Sequence, residues 1–211
     1  MSSKYVSCAD TAKLVRQALK ESFPGIKFSV TSKTYSGGAS INVGWTDGPN
    51  DAQVEAVGGV FSGGYFDGSI DLKGSTYALV DGLQVRFGAD FIFFNRRYSD
   101  AVIEKAIAQV CRYYAGNIKE QGLEVPTVAQ YRGGELFRVF PMKDSADYWS
   151  FQSLINRALC KSSDRMAVAK SKTAGKVIYL GNDGYSQSGA LSAQAVEYPA
   201  PAAPAAAPAS A

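Results

Sequence analysis

Apolar positions recur with helical spacing near the start of the chain. Leu14, Val15, Ala18 and Leu19 return at three- and four-residue intervals, and Ser7 and Asp10 stand at the Ser-x-x-Asp capping distance. This predicts a first helix, stopped by Phe23-Pro24-Gly25. The period then falls to two. Phe28 and Val30 share one side of a short segment, Ile41, Val43 and Trp45 share one side of the next, and Tyr35-Ser36-Gly37-Gly38 supplies turn residues between them. The pattern predicts a β-hairpin.

Thr46-Asp47-Gly48-Pro49 turns the chain, with Pro49 suited to the first position of a helix carrying Val54, Val57 and Phe61. The glycine-rich run 63–68 reads as an irregular loop. Segments 84–87 and 90–95 read as strands, the second buried on both faces because Phe91-Ile92-Phe93-Phe94 is uninterrupted. Ser99 caps the clearest helix, with Val102, Ile103, Ala106, Ile107, Val110 and Tyr114 on one side and Gly116 as its stop. After a polar connector at 117–126, residues 135–140 alternate as a strand. Ser145 then caps a helix through Trp149, Phe151, Leu154, Ile155 and Leu159, whose phase places Trp149 with the core, and 176–180 reads as a last strand.

The expected fold class is therefore α+β: N-terminal helix, hairpin, helix, further strands and a long capped helix, followed by a smaller α+β unit. The expected divisions are 1–118, a basic unit at 126–190 and a disordered tail at 199–211, whose Pro, Ala and Ser cannot build a core. No apolar run approaches the roughly 20 residues of a membrane span, and the first residues lack the apolar stretch of a secretory signal. A cytoplasmic protein with no membrane partner is expected.

Composition removes several chemistries. With 0 His among 211 residues there is no Ser-His-Asp triad, Cys-His pair or His-ligated zinc site. Cys8, Cys111 and Cys160 form neither a disulfide framework nor a metal knuckle, and Cys111 and Cys160 read as buried, inert thiols. No cofactor is expected. The net charge is only +3, but its distribution is uneven. Between 157 and 176 lie six basic residues (Arg157, Lys161, Arg165, Lys170, Lys172 and Lys176) against one acid, Asp164: a net of +5 that leaves −2 elsewhere. Such a stretch either neutralises phosphates or is a solvated helix end and hairpin whose charges serve solubility. Arg96-Arg97 at a strand end offers a second contact, and Tyr35 at the hairpin tip a third. Asp47, Asp67 and Asp71 are the one carboxylate set able to hold a divalent cation, although Asp-Gly is also ordinary turn chemistry. Ala174-Gly175-Lys176 ends like a phosphate loop, but Lys170 stands where glycine is needed and Val177 replaces the hydroxyl residue.

The order of these N-terminal pieces carries a resemblance. Glu21-Ser22-Phe23-Pro24-Gly25, Lys27-Phe28-Ser29-Val30, the hairpin with Tyr35-Ser36-Gly37-Gly38, Trp45-Thr46-Asp47-Gly48-Pro49, Phe66-Asp67-Gly68 with Asp71, and the helix from Ser99 together resemble the large polyvalent-protein-associated domain family, member 29. The likeness covers roughly residues 5–116 and leaves the basic stretch outside. It implies a phage or conjugative element and an accessory role that helps invading DNA, for instance against restriction or CRISPR defences. It implies no catalytic residues. The reading is a non-enzymatic binding protein whose partner is a host defence or DNA-processing protein. The alternatives are direct DNA binding through 157–176 and a divalent-metal hydrolase.

Overall fold

In the computed structural model, which describes residues 3–142, 149–163 and 167–184, the elements run β1 (Lys4–Val6), α1 (Cys8–Ser22), β2 (Ser29–Tyr35), β3 (Gly38–Thr46), α2 (Asp51–Gly58), β4 (Gly64–Asp67), β5 (Leu72–Val80), β6 (Leu83–Phe87), β7 (Phe91–Arg97), α3 (Asp100–Tyr113), α4 (Ala115–Gln121), α5 (Val128–Gly133), α6 (Phe151–Lys161) and β8 (Val177–Asn182). The class is α+β. No described helix is long and apolar enough to cross a membrane.

Ser7 caps α1 by accepting from the Asp10 amide, as the spacing predicts. The helix buries Val15, Ala18 and Leu19 against β2, β3 and α2. The hairpin turns at Ser36-Gly37, where Gly37 takes φ 85°. Strand β7 runs parallel to β3, making a three-stranded sheet in the order β2-β3-β7. The other sheet has the order β1-β6-β5-β4, with β1 parallel to β6 and β8 antiparallel to β5. The first core joins α1, the hairpin, α2 and the 3-10 turn after it through Val15, Leu19, Phe23, Ile41, Val43, Val54 and Phe61, all 1% exposed or less. Each such side chain contributes roughly 1.5–3 kcal/mol of burial. Ala174 and Val177 pack against this same core, so the chain returns to it near its end. A second core lies between α3 and α6, around Ile103, Phe151, Ile155 and Leu159.

Several predicted elements differ. The second helix begins at Asp51 because Asn50 and Gln53 form a capping box, and Pro49 stays outside with its carbonyl accepting from the Trp45 indole. Residues 64–67 are strand β4 rather than loop. Gly63 donates to the Ala89 carbonyl and accepts from the Thr76 amide, and a Cβ there would run into the Phe87 carbonyl. Its glycine marks close backbone approach, not irregularity. Strand β7 is not buried on both faces: Phe93 is 50% exposed. The third helix ends at Tyr114, and Gly116 lies inside α4, whose stop is Gly122 at φ 61°. Residues 135–138 form a 3-10 turn, reached through Gly134 at φ 73°, that lowers Leu136 into the second core. The aromatic helix is capped by Ser150, and Trp149 sits outside it, 40% exposed. Ser145 and the 199–211 tail lie outside the described residues. Among the cysteines, Cys8 is buried, Cys111 half-buried and Cys160 exposed, so Cys160 is not the buried thiol expected.

Candidate functional site

The motif that carries the resemblance works inside the fold. Asp47 sits at φ 56°, where its side-chain oxygen accepts from the Ser99 amide at 2.9 Å while its own amide donates to the Arg97 carbonyl at 2.9 Å. The turn between β3 and α2 is thereby pinned to the start of α3. Arg96 completes the assembly from β7. Its Nε donates to the Asp47 carbonyl at 3.2 Å and Nη2 to Gly48 at 3.0 Å, while Nη1 reaches the carbonyls of Leu159 (3.2 Å) and Ser162 (2.8 Å) at the end of α6. The guanidinium also lies 5.0 Å from the Tyr98 ring centre. Burial, with the Cys160 thiol close by, pushes the Tyr98 phenol up to about 12. The adjacent arginines thus separate: Arg96 joins the first core to α6, and Arg97 faces outward, exposed.

The basic stretch is divided in a similar way. Arg157 and Lys161, on successive turns of α6, line an open groove of about 910 Å³ between α6 and α3. Facing them from α3 is Arg112, with Tyr113 and Tyr114 beside it. Tyr113 is 81% exposed and meets Tyr114 edge-on at 4.8 Å. The floor is apolar, made of Val110, Leu154 and Ala158, and no carboxylate appears among the described lining residues. The guanidinium of Arg157 also stands 5.7 Å over the Trp149 ring. Pattern reading missed Arg112, Tyr113 and Tyr114. The available signal is that Tyr113 falls off the apolar stripe of its helix, and tyrosine is enriched at interfaces.

Lys170, Lys172 and Lys176 are exposed elsewhere. Lys172 and Lys176 line a different cavity of about 250 Å³ beside Leu14, Phe61 and Phe87, and Lys176 pairs with Asp81 at 3.2 Å. The loop that carries them is tied to α1 through Glu21, whose carboxylate accepts from the Thr173 amide, the Gln17 amide group and the Ser171 and Thr173 hydroxyls. Those donors, the Thr173 amide foremost, hold Glu21 down at about 2. Arg165 lies outside the described residues.

Tyr35, at the end of β2, is 45% exposed and borders a cavity of about 330 Å³ with Tyr5, Lys73, Arg86 and Asp90. The base of that cavity is structural: Asp90 accepts from the Ala39 amide and the Lys73 ammonium, each at 2.9 Å. Of the three aspartates weighed as a cation site, Asp47 lies in the β3–α2 turn, whereas Asp67 and Asp71 stand at the two ends of the β4–β5 turn. Asp47 is engaged as above, Asp67 accepts from the Ser69 amide and hydroxyl, and Asp71 occupies a turn at φ 51°. Among the described residues no group of three or more acidic, cysteine or histidine side chains is placed to hold a metal ion.

Residues 6–99 match the family described as Large polyvalent protein associated domain 29. The match implies a mobile-element context. It ends before the α3–α6 groove, so the groove residues stand outside it. No curated protein and no solved structure matches the chain.

Proposed function

We propose that this chain, with a large polyvalent protein associated domain at residues 6–99, is a non-enzymatic accessory binding protein of a mobile genetic element. It docks an acidic, amphipathic segment of a host-defence or DNA-processing protein in the groove between α3 and α6. The observation that carries this reading is the groove's composition. Arg112, Arg157 and Lys161 surround an apolar floor, with the 81% exposed Tyr113 at the rim.

That combination suits a peptide better than a duplex. A phosphate backbone gains from the three cations but nothing from Val110, Leu154 and Ala158. An amphipathic helix gains from both, laying its apolar face on the floor and its carboxylates on the rim. Tyrosine and arginine are also the residues that dominate binding energy where they become desolvated. The division of the basic stretch weighs the same way. A continuous phosphate track would need Lys172 and Lys176 on the face of Arg157 and Lys161, but the two pairs line separate cavities.

The test is selection of peptides by the purified chain from a displayed library of acidic and neutral sequences. Acidic, amphipathic sequences should be enriched. Their binding should fall at least tenfold in the Arg157→Glu, Lys161→Glu variant, each lost charge-assisted contact being worth about 1.5 kcal/mol or more. Enrichment of uncharged peptides, or binding unaffected by the charge reversal, would sink the proposal. Tighter binding of duplex DNA than of any acidic peptide, abolished by the same reversal, would give the groove to DNA instead.

A further inference from the structure

The three-stranded sheet has a second face, turned away from α1. Register fixes its membership. Ser29, Gly44 and Asn95 stand in one row, Thr31, Asn42 and Phe93 in the next, and Lys33 opposes Ser40 across the hairpin, with Phe91 on the far side of Ser40. Thr46 and Arg97 close the other end. The rows in between turn Val30, Ile41, Val43 and Phe94 to the core. Side chains alternate across a strand, so the two sets cannot mix.

This outer face has an unusual make-up. Phe93 is 50% exposed in the third strand, with Phe91 stacked beside it at 6.3 Å and 30°. Asn42 and Asn95 are exposed amides, Lys33 and Arg97 are exposed cations, and no acidic residue occurs in any of these rows. An open groove of about 950 Å³ runs across the end nearest Arg97, with Lys27 at its edge. Among the described residues no ion pair engages Lys27, Lys33 or Arg97.

We infer that this face binds a single-stranded nucleic acid, with bases stacked on Phe93 and Phe91 and phosphates held by Arg97, Lys33 and Lys27. Charge complementarity narrows the occupant to a polyanion, since a face with cations and no acid attracts one, and exposed rings beside amides narrow it further to one with unpaired bases. Unpaired bases offer π-faces to the rings and donor and acceptor edges to the amides, whereas a duplex hides both in its stack. Seven residues of β7 span roughly 20 Å at about 3.3 Å each, enough for about three nucleotides. A duplex would also meet a flat sheet with too few cations to track two backbones. The inference uses residues of the N-terminal domain and does not rest on the α3–α6 groove.

The experiment is fluorescence anisotropy of the full chain with a labelled 12-nucleotide single strand of mixed sequence, as DNA and as RNA, and with the matching duplex, across a salt series. At least one single strand should bind more tightly than the duplex. Phe93→Ala should weaken it about tenfold, in line with base–ring stacking of about 1–3 kcal/mol. Lys33→Ala with Arg97→Ala should lower the salt slope by about one to two. The Arg157→Glu, Lys161→Glu variant should bind the strand unchanged, which separates this outcome from the fate of the groove. Circular dichroism of each variant keeps a folding defect distinct, since half-exposed Phe93 is not a core residue. Failure of both single strands to bind at low salt, equal affinity for the duplex, or indifference to Phe93→Ala in a folded variant would each overturn the inference.

Discussion

Replacing Arg96 with methionine removes the guanidinium and keeps an apolar stem of similar length. Four carbonyl contacts disappear, two in the β3–α2 turn and two at the end of α6. They are not equivalent. Leu159 O retains the Ser162 amide at 3.2 Å and the Ser162 hydroxyl at 2.9 Å, and its bond to Arg96 is long, so its loss is cushioned. The bond to Asp47 is equally long at 3.2 Å. The contacts at 2.8 Å to Ser162 and 3.0 Å to buried Gly48 carry most of the effect. Counting about 1.5 kcal/mol for each of these charge-assisted bonds, and little for the long ones, gives about 3 kcal/mol. The lost contact with Tyr98 adds about 0.5 kcal/mol at a partly exposed site. Arg96→Lys should recover about half, because an ammonium reaches fewer carbonyls than the planar fork. Urea unfolding measures the total. Amide exchange locates it: protection should fall more in α6 than in β3, because α6 loses its tie to the first core while β3 keeps its neighbours. A stability change below about 1 kcal/mol, or α6 protection equal to the parent's, would refute the claim that Arg96 couples the two cores.

Three further outcomes concern other sites. Glu21 is held at about 2 against an ordinary 4.5, so its contribution is complete above about pH 4.5 and fades as pH falls towards 2; the melting temperature of Glu21→Gln should lose that part of the acid dependence, read by thermal scans between pH 2 and 6. Gly63→Ala places a methyl on the Phe87 carbonyl and forces backbone apart, so unfolding should show a loss of about 3 kcal/mol or more, or no folded protein, whereas Gly175→Ala, with nothing within 4 Å, should be near neutral. Maleimide should label exposed Cys160 first and buried Cys8 last, because burial also pushes the Cys8 thiol up and lowers its thiolate fraction; peptide mass spectrometry over a time course checks the order.

Where one element's own pattern sets its state, that state is legible in the chain. Helix α1, the hairpin and α3 declare themselves by period and cap, because Ser7, Ser99 and the alternation around Val43 act within a few residues. The glycine at 63 reads as loop chemistry in the chain because its reason, the Phe87 carbonyl, lies more than twenty residues away. Phe91 to Phe94 read as wholly buried because an uninterrupted apolar run carries no mark of the layer missing from one side of the sheet. The alternation of Phe93, Asn95 and Arg97 already held the outer face in outline.

By itself the sequence determines the α+β class, the absence of histidine chemistry, the order of motifs shared with the polyvalent-protein domain, and the surplus of positive charge near the end. Tertiary structure alone decides how these are used. It gives Arg96 to backbone carbonyls and Arg97 to solvent, though they are neighbours, since adjacent residues of a strand point to opposite faces. It splits the basic stretch between two cavities, and it brings Arg112 and Tyr113 across from another helix to complete the groove. Local propensity is written in nearest neighbours, whereas a binding surface is the sum of side chains that only packing brings to one face.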